Sequence, residues 1–262
     1  MFDAFPSADL ISGYVLGAML LMLRVLGAVW WAPSLGENQA PMQLRVGFAL
    51  VVALVLDLGL GGLFIALPTT PLTLALLVGR ELLLGLALGF AISLVLTAVE
   101  SAGSLAALSM GLSFNVFVDP TSGNESLALG GLLRTAAALL FVILGGPNVM
   151  LLTVFEHLRH VPPGQLTMAI PTAQTLAFQF GNLATTALSL AAPVVIATLV
   201  LNIAMAFVTR VVPAANLFAI GVGAMLLAGL LSMGMMGDAL VFHMDHAVQD
   251  LPRQMLDMAG VR

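Results

Sequence analysis

The chain contains no cysteine and no lysine, and only 8% of its 262 residues are charged. The absence of cysteine excludes disulfides, thiolate metal sites and thiol catalysis. Without lysine the phosphate-binding P-loop cannot form, so the chain does not hydrolyse nucleotide through that motif. The net charge of −5 argues against a nucleic-acid partner, because binding phosphates requires a basic patch.

Apolar residues dominate instead, at 60% of the chain, whereas soluble domains contain about 25% charged residues. A membrane-spanning helix needs about 20 apolar residues, and alternation typical of strands is absent. The sequence therefore predicts an all-α membrane protein with about six long apolar helices, forming a single domain over residues 1–262. The apolar blocks are 10–32, 46–67, 72–99, 127–144, 149–155, 176–208 and 211–236.

Two of these blocks do not fit a straight span. Block 149–155 is too short, and a short helix carrying His157 is expected there, between Gly145–Pro147 and Pro162–Gly164. Block 176–208 is too long and contains Pro193. Residues 68–71 are expected to be a tight link between helices, because prolines stand at both of its ends.

The stretch over residues 110–123 interrupts this apolar pattern. Asp119 and Pro120 break a helix, and Phe114 and Phe117 precede the break. Irregular backbone at membrane depth is tolerated only inside protein or beside a water-filled cavity. Aromatic rings there either close a pore, as hydrophobic constrictions do, or are core residues of a tight turn.

The letters MGLSFNVFVDP at residues 110–120 resemble the central loop of the FliR family, the flagellar export-gate subunits whose virulence counterparts are the SctT-type subunits. Further short motifs match in the same order over about residues 15–232. They are Arg24 with Trp31–Gly36, Pro41 with Arg45, Glu81 with Gly85 and Gly89, Pro163–Gly164, Ala192–Pro193, and Arg210 with Pro213, Asn216 and Phe218.

The resemblance implies a subunit of the flagellar type III export gate in the bacterial inner membrane, within the basal body. Its helices would form hairpins in a helical assembly, and Met110, Phe114 and Phe117 would plug the channel. The implied partners are FliP, FliQ, FlhB, the FlhA ring, axial rod proteins, unfolded flagellar export substrates and membrane lipid. No cofactor, metal or enzymatic activity is implied.

A third candidate site lies in an otherwise apolar region and contains two polar residues, Arg210 and Asn216, with the helix breaker Pro213 between them. A charge at membrane depth costs about 2.5–3.5 kcal/mol, so Arg210 needs a partner or water. From the residues alone, a subunit joint and a wet hairpin tip are both open, and the resemblance favours the joint. This chain has Ala214 and Gly223 where the family usually has Gln and Pro.

Glu81, Gly85 and Gly89 are spaced four apart and share one helical face. Small residues at this spacing let two backbones approach closely. This face is predicted either as a subunit-packing seam with Glu81 at its polar end or as packing within the chain. Glu100 lies on the same predicted helix, and the sequence leaves either Arg24 or Arg134 open as its ion-pair partner.

The four histidines form two pairs, His157 with His160 and His243 with His246. Their spacing is compatible with metal binding, but they lack the HExxH pattern, and solvated histidines are the favoured interpretation.

Two rival functions are a small-molecule transporter, which typically shows internal repeats, and a membrane enzyme. The sequence shows neither repeats nor a catalytic set.

Overall fold

Long helices account for most of the chain, as its Leu- and Ala-rich blocks predict. The computed structural model describes residues 8–33, 41–112, 128–164, 173–211 and 217–260, and within these ranges it contains no strand. The helices are α1 (Ala8–Trp30), α2 (Met42–Gly59), α3 (Pro71–Ser109), α4 (Ala128–Ile143), α5 (Gly146–His160), α6 (Ala173–Val211) and α7 (Leu217–Met258).

Five of these helices, namely α1, α2, α3, α6 and α7, are long and apolar enough to cross a membrane. The pair α4 and α5, separated by a break at Leu144–Gly145, adds a sixth apolar segment. The predicted all-α class with about six apolar segments is therefore confirmed. The short helix carrying His157 is α5, and α6 continues through Pro193.

The block 46–67 is not one helix, and the predicted link at residues 68–71 is too short. Helix α2 ends at Gly59 because Gly61 and Gly62 both have φ of +83°, a conformation that favours glycine. The backbone N–H of Leu63 then donates to Asp57 Oδ1 at 2.8 Å. Residues 62–68 are not helical, and the next helix starts only at Pro71.

This non-helical segment lies against a glycine face of α1. The backbone N–H of Ile65 donates to the carbonyl of Gly13 at 3.3 Å. A Cβ on Gly17 would collide with the Leu63 carbonyl, and a Cβ on Gly13 would collide with the Phe64 ring. The small residues of α1 therefore accommodate an extended backbone here.

Two compact units share the seven helices of the described ranges. The first comprises Met1–Ser93, Gly145–Ala177 and Asp250–Arg262, and the second comprises Leu94–Leu144 and Phe178–Gln249. The first unit contains a buried cluster of Leu16, Leu20 and Leu77. The single domain over residues 1–262 stays a prediction.

Candidate functional site

The motif at residues 110–120 begins where α3 ends. Gly111 has φ of +77°, its N–H donates to Leu108 O at 3.1 Å, and the N–H of Leu112 donates to Ala107 O at 2.9 Å. These two bonds form a Schellman motif, which satisfies the last carbonyls of the helix. Phe114 and Phe117 lie outside the described residues, so their predicted role as a plug stays a prediction.

Met110 is the one predicted plug residue that the structure describes, and it is only 1% exposed. Its side chain fills the space above Gly229 of α7. A Cβ placed on Gly229 would lie 2.7 Å from the Met110 sulfur and 2.8 Å from its terminal methyl carbon. Met110 therefore anchors the end of α3 to α7 inside the second unit, and no local sequence pattern indicates this pairing.

Helices α3 and α4, which flank residues 113–127, approach each other closely within the second unit. A Cβ on Gly103 would lie 2.9 Å from the Cα of Gly130 and 2.8 Å from a methyl carbon of Leu133. Near this contact Arg134 Nη1 donates to Glu100 Oε2 at 2.9 Å. Of the two partners left open for Glu100, the structure selects Arg134. Both arms of the predicted loop are thus held together by tight packing and an ion pair.

A second group of functional candidates is a buried charge cluster in the first unit, formed by Arg24, Arg80, Glu81 and His157. Glu81 and Arg24 are fully buried and form an ion pair. Arg24 Nε donates to Glu81 Oε2 at 2.6 Å, and Arg80 Nη1 donates to Glu81 Oε1 at 2.7 Å. One carboxylate therefore serves two arginines, since each of its oxygens accepts from a different guanidinium.

Arg24 also holds the C-terminal end of α5. Its Nη1 donates to the carbonyl of Val161 at 2.8 Å and lies 3.3 Å from His157 Nδ1. Because arginine can only donate, His157 Nδ1 is the acceptor and the imidazole proton resides on Nε2. One guanidinium thus joins α1, α3 and the residue after α5.

The expectation of solvated histidines is wrong for His157, which is fully buried. The sequence pattern missed it because His157 is one turn from the polar end of α5, where Arg159 and His160 are exposed. His243 instead donates from Nδ1 to the carbonyl of Ala239 at 2.8 Å, and its Nε2 lies 3.2 Å from Ser189 Oγ. Among the described residues, no group of three or more His, Asp or Glu side chains is arranged to hold a metal.

The glycine face beside Glu81 packs on α1 of the same chain. A Cβ on Gly85 would collide with the Arg24 carbonyl, and a Cβ on Gly89 would collide with that of Ala28. Gly27 of α1 also approaches α3 closely, since a Cβ there would lie 2.8 Å from Leu82 O. The structure shows packing of this face within the chain, and its predicted role as a subunit-packing seam stays a prediction.

Arg210 lies one residue before the end of α6 and is exposed. Pro213 and Asn216 lie outside the described residues. Within the described ranges, no carboxylate forms an ion pair with Arg210. The predicted joint at this position stays a prediction, and an exposed cation on the single chain is compatible with it.

The sequence model of one protein family, described as "Bacterial export proteins, family 1", matches residues 15–251. The chain belongs to this family. The predicted resemblance to FliR is therefore confirmed, and this member of the bacterial export proteins is a membrane protein with transmembrane helices. The matched interval contains the buried charge cluster, Met110, Gly229 and Arg210.

Individual relatives agree with the family assignment. The chain is 27% identical over 243 residues to "Flagellar biosynthetic protein FliR" of Escherichia coli strain K12, covering 90% of both chains. It is 29% identical over 249 residues to the protein of the same name from Caulobacter vibrioides, covering 92% of this chain and 94% of that one. It is also 29% identical over 220 residues to "Yop proteins translocation protein T" of Yersinia pestis, covering 80% and 82%.

Proposed function

We propose that this export protein is the FliR-type subunit of a flagellar type III export gate. It forms part of the channel through which unfolded flagellar proteins cross the inner membrane at the basal body. Its partners in this proposal are FliP, FliQ and FlhB, with the FlhA ring and axial rod proteins nearby. Membership of the bacterial export family over residues 15–251 supports the assignment.

In this proposal Phe114 and Phe117 close the channel. The observation that carries it is the position of the motif at residues 110–120, directly after a helix whose end is anchored by Met110. The flanking helices meet at Gly103 and Gly130, so the loop starts and finishes on a packed base. A fixed base lets apolar rings occupy a narrow pore, where they exclude water and ions.

The test is the conductance of the purified gate complex in planar bilayers, with Phe114→Ala and Phe117→Ala combined. We expect the complex to assemble and to leak ions, because two large apolar side chains are removed from the constriction. Phe141→Ala is the matched control, since Phe141 is a core residue of α4 that is 3% exposed. That control should reduce recovery of the complex by loss of packing, at a cost of about 3–5 kcal/mol, without leakage.

A double variant as tight as the parent would refute the plug. A double variant whose complex is recovered as poorly as that of Phe141→Ala would identify both rings as core packing. Either result would leave membership of the export family intact.

The alternative is an SctT-type subunit of a virulence secretion system, which the similarity to the Yersinia translocation protein favours. Complementation separates the two proposals. A strain lacking its flagellar FliR should regain swarming when it expresses this chain, whereas a strain lacking the virulence counterpart should not regain secretion. A small-molecule transporter would instead produce solute flux in liposomes from this chain alone.

The polar joint at Arg210, Pro213 and Asn216 belongs to the same proposal. Arg210 is exposed on the single chain and lies at the end of a helix that presents large apolar side chains. A neighbouring subunit that covers this end would supply a carboxylate or carbonyl partner, because a buried cation without one is costly.

A further inference from the structure

The contact between His243 and Ser189 joins α7 to α6 inside the second unit, and the proposed function does not use it. His243 Nδ1 lies 2.8 Å from the carbonyl oxygen of Ala239, and its Nε2 lies 3.2 Å from Ser189 Oγ. The same Ser189 hydroxyl lies 2.9 Å from the carbonyl oxygen of Thr186. A chain of three hydrogen bonds therefore runs from the backbone of α7, through the imidazole and the hydroxyl, to the backbone of α6.

The two carbonyls at the ends of this chain determine where its protons lie. A carbonyl oxygen only accepts, so His243 Nδ1 carries a proton, and the single proton of the Ser189 hydroxyl points to Thr186. Ser189 Oγ is then an acceptor toward Nε2, and the third bond forms only if Nε2 also carries a proton. An imidazole with protons on both nitrogens is the imidazolium ion, so the complete chain of bonds requires protonated His243.

Neutral His243 cannot complete the chain of bonds. With the proton kept on Nδ1, its Nε2 presents a lone pair to the oxygen of Ser189. Either the hydroxyl rotates to donate to Nε2 and loses its bond to Thr186, or two lone pairs face each other at 3.2 Å. Protonation therefore adds one bond between the two helices, and a charged donor makes that bond stronger than a neutral one.

This contact lies beside a weak point of α6. Pro193 follows Ser189 by four residues and has no backbone N–H, so the Ser189 carbonyl lacks its usual donor within the helix. Helices bend most readily at such a proline, because one backbone bond is missing there. Through His243, α7 holds α6 at the turn that precedes this point.

Four ionisable groups of α7 lie within two turns of His243. His246 and Asp250 share its helical face, three and seven residues further along, whereas Asp238 and Asp245 lie on other sides of the helix. Asp250 is about 10 Å away along the helix axis, too far for a direct ion pair. Within α7, the imidazole of His243 therefore has no carboxylate next to it on its own face.

The described charges on the other helices of the second unit are either distant or already paired. Helix α6 contains a single ionisable side chain, Arg210, which is about 31 Å beyond Ser189 along the helix. In the described parts of α3 and α4 that belong to this unit, the charged residues are Glu100 and Arg134, which pair with each other at 2.9 Å. The proton on Nε2 of His243 is therefore the charge that decides this contact.

We propose that His243 and Ser189 form a proton-dependent clamp between α7 and α6. Protonated His243 completes the three bonds and holds α6 at the turn before Pro193, whereas neutral His243 releases it. Histidine changes its charge between about pH 5 and 8, so the clamp closes in the acidic part of this range and opens as the pH rises. The clamp goes beyond the proposed export function and does not depend on the plug.

Hydrogen–deuterium exchange of the full chain in mixed micelles, at about pH 5.5 and about pH 8, tests the clamp. The readout is the protection factor of the backbone amides of residues 186–198 in α6, from which the intrinsic pH dependence of exchange has been divided out. We expect the parent to be about three- to tenfold better protected at the lower pH, the net effect of one hydrogen bond to a charged group that water partly reaches. Ser189→Ala and His243→Gln should each abolish this difference.

The matched control is His246→Gln, which removes the other histidine of α7. It should keep the pH difference, because His246 Nδ1 lies 3.1 Å from the carbonyl of Phe242 within its own helix. A pH difference that persists in Ser189→Ala would overturn the clamp, and so would one that disappears in His246→Gln or is absent from the parent. An equal pH difference in the amides of α1 would indicate a global effect and would also overturn it. If His243→Gln does not fold, Ser189→Ala decides alone, since it removes a single hydroxyl group.

Discussion

Glu81→Gln is the sharpest perturbation of the first unit, because the variant keeps the size of the side chain and removes only its charge. The parent carboxylate accepts from Arg24 at 2.6 Å and from Arg80 at 2.7 Å, and it is fully buried. After the change, two guanidiniums face each other across a neutral amide. Removing one partner from a buried ion pair costs about 3–5 kcal/mol.

The chain provides a matched control in Glu100→Gln. Glu100 also accepts from an arginine, at 2.9 Å, but its side chain is 30% exposed. Its partner Arg134 is 18% exposed, so this pair is only part-buried and its loss should cost less than the removal of one partner from a fully buried pair. The two substitutions are chemically identical, so the difference between them measures the combined effect of burial and of the second arginine at Glu81.

Equilibrium unfolding of the purified chain in mixed micelles measures both losses. Trp30 and Trp31 are the two tryptophans and lie where α1 ends, so their fluorescence reports the first unit. We expect Glu81→Gln to lose several times more free energy of unfolding than Glu100→Gln. Combining it with Arg24→Gln should recover part of the loss, because one unpaired buried charge disappears. Equal losses for the two glutamates, or no recovery in the double variant, would refute a cluster held by buried charge.

Three further predictions concern other contacts. The Arg210→Ala variant should insert into the membrane normally but should reduce swarming and the recovery of the gate complex. If both match the parent, Arg210 is a solvent-exposed surface residue. Gly85→Ala should destabilise the chain by about 1–3 kcal/mol in the same unfolding assay, because its Cβ collides with α1. Gly79→Ala on the same helix has open space and should be neutral or slightly stabilising. Cysteines at positions 110 and 229 should form a disulfide on oxidation, since Met110 and Gly229 are in contact and the chain has no other cysteine, whereas each single variant should not cross-link within the chain.

The sequence could predict the helices because their apolar blocks are long, and it could predict the close approach at Gly85 because the spacing of small residues is local. It could not predict which surface meets that face, since Arg24 is 57 residues away from Glu81. The ending of α2 was missed for a different reason. Leu63–Leu67 is as apolar as a helix, and only Gly61 and Gly62 mark the change in backbone conformation. Burial of His157 depends on a contact with Arg24 across 133 residues, which no local pattern contains.

The separation of Arg24 and Glu81 along the chain also has a consequence for biosynthesis. A ribosome adds about 5–20 residues per second, so about 3–11 seconds pass between the synthesis of Arg24 and that of its counter-ion. Val161, the other partner of Arg24, follows 137 residues after it and is made later still. During this interval the first helix carries a charge without a partner, and it must keep position 24 in contact with water or headgroups. In stalled nascent chains that end before residue 81, a cysteine replacing Ala28, one turn from Arg24 on the same face of α1, should therefore react with a water-soluble reagent. In chains that extend past residue 161 that cysteine should be protected, because Ala28 is fully buried in the folded chain.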